Sequence, residues 1–136
     1  MDPFFNTLSI SFNKIKIDLH AILFGDILTD EASVISGSMG LMPSASMGLK
    51  TSIYEPIHGS FPQATGKNIA NPLATILSAS MMFEESFKLI NEAKLIKQVV
   101  SESISEKIVT ADLSRNEKSY STEDVGNWIC KRIEKG

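Results

Sequence analysis

Residues 54–72, YEPIHGSFPQATGKNIANP, crowd a carboxylate, a histidine, small residues and amides into one stretch with neither helical nor strand periodicity. Gly59, Pro62 and Gly66 interrupt any continuous helix or strand. Glu55, His58, Ser60, Gln63, Lys67, Asn68 and Asn71 supply donors and acceptors suited to a polar ligand. The stretch closes where Asn71 can cap a helix with Pro72 at its first position, and bare backbone amides there would favour an anionic group. On these residues alone, an ordered surface loop that binds nothing accounts for the pattern equally well.

Working outward, residues 24–46 read FGDILTDEASVISGSMGLMPSAS. Ile27, Leu28, Ala32, Val34 and Ile35 give residues 25–36 a broad apolar helical face, and the GSMG run at 37–40 ends it. An irregular segment with Pro43 and Gly48 follows, then a strand at 51–54. Residues 73–90 form the strongest helical pattern, apolar nearly all round in the first half, and a second helix is predicted over 92–104 with Ala93, Leu95, Ile96, Val99, Val100 and Ile104 on one side. Residues 108–112 suit a short extended piece. A last helix starts with Thr122 as its cap and Glu123 and Asp124 in its first turn, with Trp128 as a core anchor. Near the start, Ile15, Ile17 and Leu19 alternate with Lys16 and Asp18, as in a strand with one wet face.

Asp26 and Asp30 lie four apart on the predicted helix, so their carboxylates leave one face about a turn apart. Such a pair can share a hard divalent ion with water and substrate oxygens, although spacing alone more often means a solvated acidic face. A chain of 136 residues with 43% hydrophobic and 21% charged residues suits one modest domain or a piece of one. The formal charge of −3, with lysines interleaved among acids, leaves no basic footprint, so no nucleic-acid partner is expected. The single Cys130 forms no internal disulfide. No apolar run reaches membrane-spanning length, and no basic leader precedes the first residues, so a cytoplasmic protein without membrane association is expected.

Two of these stretches share their wording with a known family. EPIHGS followed by GKNIANP closely resembles the nicotinamide-cofactor loop of the isocitrate/isopropylmalate dehydrogenase family, and residues 24–46 resemble its metal-binding helix and following loop, in the same order and at a plausible separation. The resemblance continues through ATILSASMMFE at 74–84 and runs from about residue 24 to the C-terminus, the last third of the family's length. It implies an α/β chain, helix-rich here and not a Rossmann fold, in keeping with the lack of a G-x-G-x-x-G run. Residues 24–36 would then belong to the dimer-forming domain and 37–136 to the C-terminal part of the NAD-binding domain. Residues 1–23 are expected to be an atypical start, from a truncation, a shifted frame or an incomplete gene.

Carried over residue by residue, the resemblance places Glu55, His58, Gly59, Ser60, Gln63 and Asn71 around NAD, with His58 and Asn71 near the adenine end. It gives Asp26 and Asp30 to Mg²⁺ or Mn²⁺, and it implies a homodimer acting on a small-molecule substrate. The GSMGLMPSAS and EPIHGS runs are closer to the isopropylmalate branch, which implies NAD-dependent oxidation and metal-assisted decarboxylation of 3-isopropylmalate to 2-oxoisocaproate in leucine biosynthesis. Gln63 departs from the aspartate usual in NAD-dependent members. The family's catalytic lysine and tyrosine, its carboxylate-binding arginines and a further metal aspartate have no match in this chain, so no catalytic residue is assigned. Isocitrate, tartrate or malate as substrate, and an inactive remnant serving only for binding or dimerisation, are the alternatives.

Overall fold

The computed structural model describes residues 8–12, 15–19, 38–114 and 117–135. The predicted helix at 25–36, and with it Asp26 and Asp30, lies outside them.

Among the described residues the strands form one antiparallel sheet in the order β2-β1-β3-β4. Strand β1 (Leu8–Phe12) pairs with β2 (Ile15–Leu19) in a register from Leu8↔Leu19 to Phe12↔Ile15. The alternating residues 15–19 are thus a strand, as their period of two predicts. Strand β1 also pairs with β3 (Pro43–Met47) at Leu8↔Ser46, and β3 pairs with β4 (Ser52–Pro56) from Pro43↔Pro56 to Met47↔Ser52. Gly48 tightens the β3–β4 turn: its N–H donates to the Thr51 carbonyl at 3.1 Å, and a Cβ there would sit 2.5 Å from that oxygen.

The expectation of an irregular segment around Pro43 is overturned by β3. Proline is tolerated as a strand's first residue, where Pro43 stands, and the small Ser44 and Ala45 are buried beneath the first helix. Helix α1 (Leu73–Glu85) packs on β3 and β4 and against α2 (Ile90–Ser105), which packs in turn against α3 (Thr122–Ile133). The core forms where the helices meet: Leu73, Val99, Val100, Val125 and Ile129 are buried together, with Trp128 and Tyr120 packed at the edge. On α2 the buried Ala93, Ile96, Val99, Val100 and Ser103 follow the helical repeat, while Ile104, expected on that face, is exposed. Buried hydroxyls are satisfied locally, Ser80 donating to the Ala93 carbonyl at 2.9 Å and Ser103 to the Ile108 carbonyl at 2.6 Å.

Helix boundaries differ from the sequence reading for identifiable reasons. Helix α1 stops at Glu85 rather than near Ile90 because Lys88 turns left-handed (φ 58°) and the Leu89 N–H reaches back to the Phe83 carbonyl at 2.8 Å. Ser121, not Thr122, caps α3: its hydroxyl accepts from the Asp124 N–H at 3.1 Å while the Asp124 carboxylate accepts from the Ser121 N–H, a capping box. Residues 108–112 form no strand. The Tyr120 N–H donates to the Val109 carbonyl at 2.9 Å, and the chain then turns through a Leu113 N–H to Thr110 carbonyl bond at 3.1 Å.

Candidate functional site

Residues 54–72 leave the sheet on β4 and return to the fold at α1. Glu55 stands in β4 opposite Ser44 with its side chain exposed. The Ile57 N–H donates to the Met42 carbonyl at 3.1 Å, fixing where the chain departs. His58 is half-buried and its Nδ1 lies 2.9 Å from the Gly59 carbonyl, which can only accept, so Nδ1 carries the hydrogen in this contact. In the neutral ring Nε2 is then an acceptor, and it is buried without a hydrogen-bond partner among the described residues. At the following residue, a Cβ placed on Gly59 would meet nothing within 4 Å among the described residues, and Ser60 is exposed. A buried ring nitrogen with no partner among the described residues is an acceptor that an N–H or O–H donor would satisfy.

Phe61 then takes a left-handed conformation (φ 42°), an uncommon one for a bulky residue that costs about 1–3 kcal/mol and is held by its surroundings. The surroundings are a tight turn. Pro62–Ala64 form one turn of 3-10 helix, the Ala64 N–H donates to the Phe61 carbonyl at 3.0 Å, and the Lys67 N–H donates to the Ala64 carbonyl at 3.0 Å. Ala64 is buried as the turn's anchor, Gln63 faces solvent, and Gly66 adopts the positive φ of 72° that favours glycine.

The second half of the loop is clasped by residues from the far end of the chain. The Asn68 carbonyl accepts the Thr122 N–H at 3.0 Å, its side-chain oxygen accepts the Glu123 N–H at 3.0 Å, and the Ala70 carbonyl accepts the Thr122 hydroxyl at 2.6 Å. The first amides of α3 are thereby occupied by the loop, which explains why Thr122 is not the cap. Asn71 accepts the Leu73 N–H on Oδ1 at 2.9 Å and donates from Nδ2 to Asp112 at 2.9 Å. The amides at the start of α1 are therefore not all bare, contrary to the expectation of an open anion site. Pro72 precedes the first helical residue instead of occupying it.

Asp112 and Gly40 are parts of this arrangement that sequence reasoning missed. The Asp112 carboxylate accepts the Ser38 hydroxyl at 2.5 Å and Asn71 on Oδ2, and the Thr110 hydroxyl at 2.5 Å on Oδ1. Partial burial pushes its pKa upward, but the hydrogen bonds from Ser38, Thr110 and Asn71 outweigh it and hold the carboxyl below the ordinary aspartate value. Gly40, expected only to end a helix, lies under Asn71: a Cβ there would come within 2.7 Å of the Asn71 Cβ. Nothing in the spacing of these residues signals the contact, since Asn71 and Asp112 are 41 positions apart. Among the described residues no group of three or more His, Cys, Asp or Glu side chains could hold a metal ion, and no helix is long and apolar enough to cross a membrane.

A small antiparallel sheet covered by one of three successively packed helices, carrying a polar loop clasped at its far end, is an α/β arrangement distinct from the dinucleotide-binding βαβ unit. The chain belongs to the isocitrate/isopropylmalate dehydrogenase family, whose sequence model matches residues 11–129. Among its relatives, 3-isopropylmalate dehydrogenase of Bacteroides fragilis (strain YCH46) is 53% identical over 113 residues, covering 82% of this chain and 32% of that protein. The Thermotoga maritima 3-isopropylmalate dehydrogenase is 49% identical over 123 residues, 90% of this chain and 34% of that protein. Of solved structures, isocitrate dehydrogenase from Methylococcus capsulatus superposes with a TM-score of 0.77 at 36% identity, over 82% of this chain and 32% of that one. The apo form of a beta-decarboxylating dehydrogenase from Thermococcus kodakarensis gives 0.72 at 39% identity, over 83% and 32%. This chain thus spans about a third of the length of the relatives it matches. The family match reaches back to residue 11 and includes much of the stretch that reads as atypical.

Proposed function

We propose that this chain is the cofactor-loop portion of a 3-isopropylmalate dehydrogenase, in which residues 54–72 hold the adenosine part of NAD. The carrying observation is His58: a buried Nε2 with no partner among the described residues, followed by Gly59, where a Cβ would meet nothing within 4 Å, in a loop held by Asn68, Asn71 and the start of α3. These residues fit the cofactor chemically. The acceptor nitrogen suits an adenine amino group or a ribose hydroxyl, Gly59 lets backbone approach, and the exposed Ser60 and Gln63 offer further polar contacts. Glu55, on β4, completes the set at the sheet edge.

When bound, the dinucleotide supplies the hydride acceptor, and Mg²⁺ or Mn²⁺ at Asp26 and Asp30 supplies Lewis-acid chemistry for the decarboxylation. The part played by this chain's own residues is to bind and orient. The strained Phe61 turn and the clasp on Asn68 fix the loop beforehand, so little ordering cost remains on binding. Acid–base catalysis, the grip on the substrate carboxylates and the further metal aspartate from the partner of a homodimer fall to segments with no counterpart in these 136 residues. The isopropylmalate reading is favoured over isocitrate because the relatives at 53% and 49% identity carry that name, whereas the isocitrate enzyme aligns at 36%.

Gln63 sets the cofactor preference. An aspartate there would accept hydrogen bonds from ribose hydroxyls and repel a 2′-phosphate, whereas glutamine keeps the pairing without the repulsion. Grafted into an active relative, this loop is expected to retain a preference for NAD with smaller discrimination than a version carrying Gln63→Asp, read as the ratio of kcat/KM for NAD and NADP. A preference for NADP, or equal ratios for the two versions, would overturn the assignment.

A further inference from the structure

Asn71 is half-buried and held at both ends of its carboxamide. Its Oδ1 takes the Leu73 N–H, its Nδ2 is held by Asp112, and the Gly40 backbone closes in beneath its Cβ. Asp112 is itself immobilised, with Thr110 on one carboxylate oxygen and Ser38 and Asn71 on the other. Three segments distant in sequence, at 38–40, 71–73 and 110–112, therefore converge on a single carboxamide. A surface asparagine needed only to start a helix requires the Leu73 contact and no more. The additional carboxylate, fixed by two hydroxyls, removes rotamer freedom from a side chain that could otherwise turn to solvent.

We infer that Asp112 is a positioning residue for dinucleotide binding: by holding the Asn71 carboxamide against Gly40 it fixes the orientation in which the end of the 54–72 loop meets the cofactor. The inference rests on the reading of that loop as the NAD site. Aspartate suits the task because it is acceptor-only and meets three donors at once. Asparagine retains part of this ability, since its oxygen can face Ser38 and Asn71 while its amide donates to the Thr110 hydroxyl.

The test is a thermodynamic cycle on the intact chain, with NAD as the titrated ligand and binding followed by calorimetry. Asp112→Ala is expected to weaken NAD binding roughly 10- to 100-fold, the effect of losing a charge-assisted hydrogen bond. Asp112→Asn is expected to retain most of the affinity, and Asp112→Ala is expected to cost nothing further in an Asn71→Ala background. Asp112→Ser is the second variant, should the alanine form fail to fold. Wild-type affinity in D112A, or penalties that add across the cycle, would overturn the inference. Absence of NAD binding by the wild-type chain would instead contradict the reading of the loop. The positioning claim is then decided without ligand, by the Asn71 side-chain amide resonances. These should be dispersed in wild type and D112N and averaged in D112A or D112S, and no change in them would overturn the inference.

Discussion

Leu73→Ala is expected to lower the chain's unfolding free energy by about 2–5 kcal/mol. Leu73 is fully buried at the first position of α1 and touches the cluster of Val99, Val100, Val125 and Ile129, so one side chain joins all three helices. Removing three carbons there loses the transfer free energy of the buried group and leaves a space that close-packed neighbours only partly fill. The same substitution at Leu49, fully exposed in the β3–β4 turn, should change stability by less than about 0.5 kcal/mol. Urea unfolding of the two variants checks the contrast, which isolates burial from residue chemistry. Equal losses would mean that the helices do not meet as described.

Purified by itself, the chain is expected to give no NADH from 3-isopropylmalate with NAD and Mg²⁺ above background. Loss of a positioned acid or base alone costs about 10²–10⁴ in rate, and on the family resemblance neither the acid–base pair nor the carboxylate clamp has a match in this chain. The two tyrosines do not take over. The Tyr54 hydroxyl is engaged with Ser86 Oγ at 2.8 Å and Met47 Sδ at 3.3 Å, and Tyr120 packs against the helical core. Absorbance at the NADH band, with protein made in a host lacking its own enzyme, is the measurement. Sustained turnover that copurifies with the chain would show that this piece contains machinery assigned elsewhere.

The helices were legible because each carries its own evidence: the repeat of Ala93, Ile96, Val99 and Val100, and the spacing of Val125 and Ile129, follow from burying one face. Strand β4 and the alternating residues 15–19 were legible for the same local reason. Strand β3 was not, since its residues are small or proline and it is a strand through pairing with β1 and β4. The end of α1 was hidden because a lysine, not a glycine, takes the left-handed turn. In the site, the composition of 54–72 announced a polar loop, and its wording tied it to the family. The clasp was invisible in the sequence. It joins Asn71 to Asp112 across 41 positions and to Gly40 through a close approach, and contacts made by folding leave no local pattern. Asp26 and Asp30 lie outside the described residues, so their part as metal ligands rests on the family resemblance.

The central claim is that residues 54–72 form the dinucleotide-binding surface, and the most direct measurement is an NAD titration of the chain followed by backbone and side-chain amide NMR. The account predicts shifts concentrated at His58, Gly59, Ser60, Gln63 and Asn71, with a change at the His58 ring as Nε2 gains a donor and smaller changes at Asp112 and Thr122 behind the loop. Titration to millimolar NAD with these resonances unmoved, or with shifts centred on another face, would contradict it.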